Sequence, residues 1–273
     1  MVGDRFMVAY VDGNSGDILA RLLDTRQPEQ FLQGDEIYDR NGNGVLDAGD
    51  RIGSRPDLIV GTDGDDIIVG DLIDPNVAGA RFDDPEGSDD ELHGGLGNDV
   101  IFGGGGNDII DGGDGADSIN AGSGDDVIRQ ASTGGRDFVN GSTNGLTGDT
   151  FELVGSSDAE NFVIYTRTAA IAAGFGAGLN AATQIVVTRQ VGAGAEAVIS
   201  ELTGIEEIKV LTSSDPISAL AGSNANNPTP GSTTNVAASG DSIRVVGDFT
   251  TTSLRYNTIT VEGSAANDTV DIS

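Results

Sequence analysis

The chain has 273 residues, 44 acids against 14 bases, a net charge of -30 and no cysteine. A surface this acidic repels nucleic acid and anionic membrane, which both bind through basic contacts, and the missing cysteine excludes disulfides and thiolate metal sites. Leu, Ile, Val and Phe still make up about a quarter of the residues, above the level at which disorder is the default; the chain is expected to fold, with cations offsetting its self-repulsion.

The start, Met1 to Asp4, lacks the charged and then apolar pattern of a signal peptide, and no run of 18 apolar residues is present to span a membrane. Residues 5–11 (RFMVAYV) and 17–23 (DILARLL), joined by DGNSG, predict a β-hairpin. Next comes DRNGNGVLDAGD, residues 39–50. Read as a twelve-residue loop it offers oxygens from Asp39, Asn41, Asn43, the Val45 carbonyl, Asp47 and Asp50 at positions 1, 3, 5, 7, 9 and 12. Gly44 falls where such a loop turns sharply, and Leu46 can pin it to a core. The stretch resembles an EF-hand-type calcium loop with two departures. Asp50 replaces the longer Glu that ligates with both oxygens, and Gly49, Gly53 and Pro56 argue against a second flanking helix. A free-standing calcium loop is expected, the alternative being an acidic turn rich in Asn and Gly.

The middle of the chain repeats. Residues 94–102 (GGLGNDVIF), 103–111 (GGGGNDIID), 112–120 (GGDGADSIN) and 121–129 (AGSGDDVIR) are contiguous nine-residue units. Position 4 is Gly97, Gly106, Gly115 and Gly124; position 6 is Asp99, Asp108, Asp117 and Asp126; position 8 is Ile101, Ile110, Ile119 and Ile128. Glycine also fills position 2, at Gly95, Gly104, Gly113 and Gly122. Upstream, GTDGDDIIV (61–69) keeps Gly64, Asp66 and Ile68, and PEGSDDELH (85–93) keeps Asp90 and Leu92 but has Ser88 at position 4. Residues 72–84 interrupt the frame and predict an extruded loop.

The physics of the unit follows from its parts. The last residues alternate as a short strand, and the position-8 isoleucines stack from rung to rung as a narrow aliphatic core. Glycines allow positive φ and close backbone approach, so carbonyl oxygens converge at the turn. The position-6 aspartate adds a carboxylate, making an oxygen cage that suits calcium, with its 6–8 ligands, better than magnesium. Between 85 and 129 there are eleven carboxylates and one strong base, Arg129. Without metal the segment is expected to stay open like a solvated linker, so calcium binding is part of its folding free energy.

These units resemble the G-G-x-G-x-D-x-U-x repeat of the RTX, or hemolysin-type, calcium-binding family. The resemblance implies an all-β fold, a right-handed parallel β-roll or β-helix in which two units make one turn and several calcium ions sit between stacked turns. It also implies type I secretion and folding in calcium-rich extracellular fluid. Ala121 at the first glycine and Ser88 at the turn glycine weaken the two end units as calcium sites.

Beyond residue 130 the sequence reads as further strands, TFELV, NFVIYT, QIVVTRQV, AVISEL, IEEIKVL, SIRVVGDF and YNTITVEG, with a short helix in 168–182 and a surface loop at 224–235. GSSDAENFV (155–163) and GSAANDTVD (263–271) echo the repeat with its glycines lost, and Asp268 reads chiefly as a polar turn residue. A continued parallel stack is expected, with the carbonyl cages mostly abandoned. The expected organisation is therefore an N-terminal hairpin cap with its calcium loop (1–56), a calcium roll (57–143) and a degenerate continuation (144–273).

His93, the one histidine, occupies position 9 of a unit and is expected to be an exposed roll residue without a catalytic role. The bases are scattered and form no groove for acidic sugars, so the chain is read as no enzyme. Both ends read as cut, which makes the chain part of a larger polypeptide. The expected role is a calcium-binding structural module of a secreted or cell-surface bacterial protein, with no nucleic acid partner and no membrane insertion. An adhesin or surface-layer unit that self-assembles or binds a surface ligand is the alternative. A second is an accessory segment of a secreted enzyme, since AENFVIYTR, TQIVVTR and ISELTGIEEIKV resemble segments that accompany RTX runs in large secreted proteins, including peroxidase-like ones.

Overall fold

The structure, a computed structural model, describes residues 6–11, 18–23, 31–33, 57–71, 87–131, 134–156, 158–212, 240–256, 258–263 and 267–272. The EF-hand-type loop (39–50), the interruption at 72–84 and the loop at 224–235 lie outside the described residues.

Strands β1 (Phe6–Val11) and β2 (Ile18–Leu23) pair antiparallel, as the two apolar runs predict, with Phe6 opposite Leu23. Then come β3 (Phe31–Gln33), β4 (Leu58–Val60), β5 (Ile67–Val69), β6 (Glu91–Leu96), β7 (Val100–Gly105), β8 (Ile109–Asp114), β9 (Ser118–Gly124), β10 (Val127–Ala131), β11 (Asp137–Asn144) and β12 (Thr150–Val154). The remainder holds β13 (Glu160–Thr166), α1 (Arg167–Ala173), β14 (Ile185–Val191), β15 (Ala197–Thr203), β16 (Glu207–Leu211), β17 (Ser242–Val246), β18 (Ile259–Glu262) and β19 (Thr269–Ile272).

From β3 to β12 successive strands alternate between two parallel sheets, which is the β-roll that the resemblance implies. One sheet runs β4, β6, β8, β10, β12, β16, β18; the other runs β3, β5, β7, β9, β11 and continues through β15, β14, β13, β17 and β19. Within the repeats the register step is 18 residues: Leu92 pairs with Ile110 and Ile110 with Ile128 in one sheet, Ile101 with Ile119 in the other. Two nine-residue units thus make each turn, and every position-8 residue lands on its counterpart. The resulting columns are Leu92, Ile110, Ile128, Phe151 and Ile208 on one side, and Ile68, Ile101, Ile119, Val139 and Leu202 on the other. All ten are at most 2 % exposed and belong to one apolar core.

The outer face of the first sheet carries a column of charged side chains headed by a histidine. His93, Asp111, Arg129, Glu152 and Lys209 are register partners in succession. Arg129 Nε donates to Glu152 at 2.8 Å, while Lys209 lies 3.4 Å from Glu152 and 3.1 Å from Glu262. His93 is not the exposed residue expected of position 9. It is 5 % exposed, with Nε2 3.2 Å from Glu91 and Nδ1 4.0 Å from Asp111. The outward alternation holds, but Asp111 on the neighbouring strand and Glu91 two residues away engage its ring.

Beyond β12 the expected parallel stack is broken once. β14 runs antiparallel to both β13 and β15. The reversal follows from α1: Thr166 accepts the Ala169 N–H at the helix start, and Gly174, at φ 100°, ends it with a left-handed residue that turns the chain back. Val163, Tyr165, Ala170 and Val186 form a second, smaller core around this hairpin. β16, β17, β18 and β19 then resume parallel pairing.

Ile110 sits mid-column with no exposed surface. Ile110→Ala should destabilise the calcium-loaded fold by about 2–5 kcal/mol and Ile110→Val by about 1 kcal/mol, read from chemical denaturation. Equal and negligible effects would show that the column is not close-packed.

Candidate metal centre

The glycines of the unit do three distinct jobs. At positions 2 and 4 of the four contiguous units the backbone has positive φ: Gly95 at 111°, Gly97 at 119°, Gly104 at 112°, Gly106 at 113°, Gly113 at 94°, Gly115 at 143°, Gly122 at 113° and Gly124 at 149°. Position 4 is also crowded by the turn stacked on it. A Cβ at Gly115 would lie 1.5 Å from the Gly97 carbonyl oxygen, and one at Gly97 would lie 2.5 Å from that of Gly64. At position 1 the demand is different. A Cβ on Gly94 would stand 2.2 Å from the Gly112 carbonyl oxygen and 2.3 Å from Asp99 Oδ2; on Gly103, 2.1 Å from the Ala121 carbonyl oxygen and 2.5 Å from Asp108 Oδ2. The first glycine therefore keeps open a cradle in which a carboxylate oxygen and a carbonyl oxygen of the next turn converge.

The position-6 acids form two ladders. Asp66 N–H donates to Asp99 Oδ1 at 2.7 Å, Asp99 to Asp117 at 2.8 Å and Asp117 to Asp137 at 2.9 Å. On the other edge Asp57 donates to Asp90 at 2.9 Å, Asp90 to Asp108 at 2.8 Å, Asp108 to Asp126 at 2.8 Å and Asp126 to Asp149 at 2.9 Å. While the Asp66 carboxylate accepts from the Thr62 N–H and hydroxyl, one oxygen of each carboxylate that accepts along the ladders is used by the backbone. The other is not: Oδ2 of Asp90, Asp99, Asp108, Asp117, Asp126, Asp149 and Asp241 is buried with no hydrogen-bond partner. An anionic oxygen buried without a donor is costly, and a neighbouring carbonyl oxygen cannot donate. A cation fits between them. Among the described residues no three His, Asp or Glu side chains converge to hold a metal unaided, so carbonyl oxygens must supply much of the coordination, as a hard cation with 6–8 oxygen ligands accepts.

A family model described as the RTX calcium-binding nonapeptide repeat, in four copies, matches residues 52–72, 86–119 and 93–128. Residues 52–128 carry the RTX repeat. RTX nonapeptide repeats bind Ca2+ between turns, which is where the unpartnered Oδ2 atoms and carbonyls meet, and the repeat family is a structural, non-catalytic module. No curated protein and no solved structure matches the chain. RTX repeats are typical of secreted bacterial proteins, and among the described residues no helix is long and apolar enough to cross a membrane.

The RTX acids expected from the sequence, Asp66, Asp90, Asp99, Asp108, Asp117 and Asp126, all sit in the ladders, each at most 2 % exposed. The turn glycines Gly64, Gly95, Gly97, Gly104, Gly106, Gly113, Gly115, Gly122 and Gly124 line the stacked turns. Asp39, Asn41, Asn43, Val45, Asp47 and Asp50 lie outside the described residues. The unit read as 85–93 is assembled differently. Gly70 takes the first-glycine place, 2.5 Å by its would-be Cβ from Asp90 Oδ2 and 2.3 Å from the Gly103 carbonyl oxygen. The interruption therefore falls inside a unit that begins with Gly70 and Asp71 and resumes at Gly87. Ser88 does keep the position-4 stack, with its carbonyl 2.1 Å from a Cβ on Gly106, and its hydroxyl donates to Asp90 Oδ1 at 2.9 Å.

Four features were missed at the level of sequence. Asp57 and Asp137 extend the ladders, and Asp57-Leu58-Ile59 and Asp137-Phe138-Val139 carry the acid-x-apolar signature that marks them. Asp71 Oδ2 accepts the Gly105 N–H at 2.7 Å. Asp149 continues a ladder after an insertion. Position 5 forms an exposed ladder of its own: Asp65 accepts from Asn98 N at 2.7 Å, Asn98 from Ala116 N at 2.9 Å, Asp89 from Asn107 N at 2.6 Å and Asn107 from Asp125 N at 2.8 Å. The run of Asp and Asn at that position is its signal.

Burial pushes these carboxyl groups up, against backbone hydrogen bonds that lower them: Asp90 and Asp99 to about 7, Asp108 to about 9, Asp117 and Asp126 to about 6, Asp137 and Asp149 to about 8. Each acid holds its proton more firmly folded than unfolded. Without metal, stability is therefore favoured at low pH and is lost as pH rises from the ordinary carboxylate range through these raised values. In chelator, β structure by circular dichroism should be greater near pH 5 than near pH 8, whereas calcium affinity should rise over the same interval as protons stop competing. Metal-free β structure that increases toward pH 8 would contradict uncompensated burial of the acids.

Proposed function

We propose that the chain is a calcium-binding structural module of a larger secreted or cell-surface bacterial protein, and that its roll folds when calcium is met after export. The observation that carries this reading is the row of buried Oδ2 atoms facing carbonyl oxygens over the first glycines. Those oxygens are met by protons at low pH or by a cation at neutral pH. A compartment poor in calcium leaves the roll open, and one rich in calcium closes it. In this reading Asp66, Asp90, Asp99, Asp108, Asp117 and Asp126 supply the carboxylates, the turn glycines supply carbonyls, and bound calcium supplies the positive charge that locks adjacent turns. The loop at 39–50 is proposed as a separate calcium site, with residues 1–56 as a cap, 57–143 as the roll and 144–273 as its continuation.

The role is structural rather than catalytic. His93 is engaged by Glu91 and Asp111, and the patterned acids are accounted for by calcium. A surface-assembly role has one observation in its favour: β18 and β19 end their sheets, and on β19 Val270 and Ile272 are 53 % and 80 % exposed.

Circular dichroism tests the calcium reading directly. β signal should appear on titrating calcium into chelated protein near neutral pH, and Asp108→Asn or Asp117→Asn should raise the calcium needed and reduce cooperativity, whereas His93→Gln should not. A spectrum indifferent to chelation would overturn calcium-coupled folding.

A further inference from the structure

We propose that the row of calcium sites runs one turn past the matched repeats, into a site closed by Asp149, Gly141 and the Gly204 carbonyl. The proposal rests on the calcium reading of residues 52–128 and concerns residues that no repeat match reaches.

Gly141 stands in the first-glycine place. The residue after it, Ser142, pairs with Gly122, which in turn pairs with Gly104. A Cβ on Gly141 would lie 2.2 Å from Asp149 Oδ2 and 2.2 Å from the Gly204 carbonyl oxygen, the same two partners at the same reach as the cradle of Asp108 over Gly103. Asp149 has no exposed surface, its Oδ1 accepts the Asp126 N–H at 2.9 Å, and its Oδ2 has no hydrogen-bond partner. Ser142 has φ 72°, the one positive value outside glycine among the described residues. Its turn thus keeps the left-handed form of Gly104 and Gly122, held locally by the Ser142 N–H donating to Asn140 Oδ1 at 3.1 Å.

The nine-residue pattern misses this site because the unit is stretched. Gly103 precedes Asp108 by five residues, whereas Gly141 precedes Asp149 by eight. The extra residues are tied down locally: the N–H groups of Leu146, Thr147 and Gly148 donate to the Asp125 carboxylate at 3.0, 3.0 and 2.7 Å. On the next turn the acid's place passes to Glu206, whose Oε2 accepts the Asp149 N–H at 2.9 Å. In the other sheet the acid column ends at Ser200, the register partner of Asp137.

The test is the number of ions bound by the whole chain, counted by native mass spectrometry in calcium and checked by terbium luminescence. Asp149→Asn keeps the oxygen that accepts the Asp126 N–H and removes the charge. It should bind at least one ion fewer than the unmutated chain, while Asp158→Asn, on an exposed turn, should bind the full number. An unchanged count for Asp149→Asn alongside a reduced count for Asp108→Asn would overturn this site and leave the repeat sites standing. Unchanged counts for both would overturn the calcium reading itself. Should Asp149→Asn fail to fold, hydrogen exchange on the unmutated chain decides: calcium should slow the amides of 141–149 and 204–207 along with those of 94–128, and protection confined to 94–128 would overturn the site.

Discussion

The structure depends on one arrangement, a buried carboxylate that shares its two oxygens between the backbone and something not made of protein. Oδ1 of each ladder aspartate receives the N–H of the turn before, which fixes the spacing of turns. In Asp90, Asp99, Asp108 and Asp149, Oδ2 is aimed across the first glycine at a carbonyl oxygen and receives no hydrogen bond. A donor in that place would have made the ladder self-sufficient. Without one, these oxygens are left for a cation, and calcium is the cation whose ligand preference they match.

Glycine content follows from the same arrangement. The second and fourth glycines bend the turn through positive φ, while the first lets two oxygens close on one point. The isoleucine columns then need only fill the width between two strands per turn, so a narrow core suffices. Around that core stand eleven carboxylates between 85 and 129, and in the proposed reading calcium binding and folding of the repeats are coupled. Past β12 the balance shifts. Glu160 stands where the repeat has aspartate, is 1 % exposed, and is met by the Arg189 guanidinium, and Glu201 is paired with Arg136 at 2.7 Å. Protein-borne cations meet these two acids, although Oδ2 of Asp241, which accepts the Glu160 N–H through Oδ1, stays without a hydrogen-bond partner, and a second core around α1 adds apolar burial.

What the sequence revealed tracks what is periodic. The nine-residue beat, the position-6 acids and the stacked position-8 isoleucines were legible because each keeps a fixed interval, and the roll with its two-unit turn was implied by the resemblance to the RTX repeat. Features that depend on geometry across an interruption were not. Asp137 lies 20 residues after Asp117 and Asp149 lies 23 after Asp126, two and five more than the repeat step of 18, so both leave the frame while each returns to its column in space. Gly70 and Asp71 belong to a unit whose other half lies past the interruption. The antiparallel course of β14 follows from a helix cap at Thr166 and Gly174, not from any feature of the β14 strand itself. His93 faces outward as its parity requires, yet it is buried, with Glu91 and Asp111 against its ring, and the Asp111 neighbour across the sheet is one that alternation along one strand does not report.

The most direct measurement is anomalous scattering from crystals of the whole chain grown in calcium. Difference peaks are expected in two rows between stacked turns, each beside the Oδ2 of a ladder aspartate such as Asp99, Asp108 or Asp117 and a carbonyl of the adjoining turn. Ladder turns without peaks, or peaks confined to the exposed position-5 row of Asp65, Asp89 and Asp125, would contradict a roll closed by calcium over its first glycines.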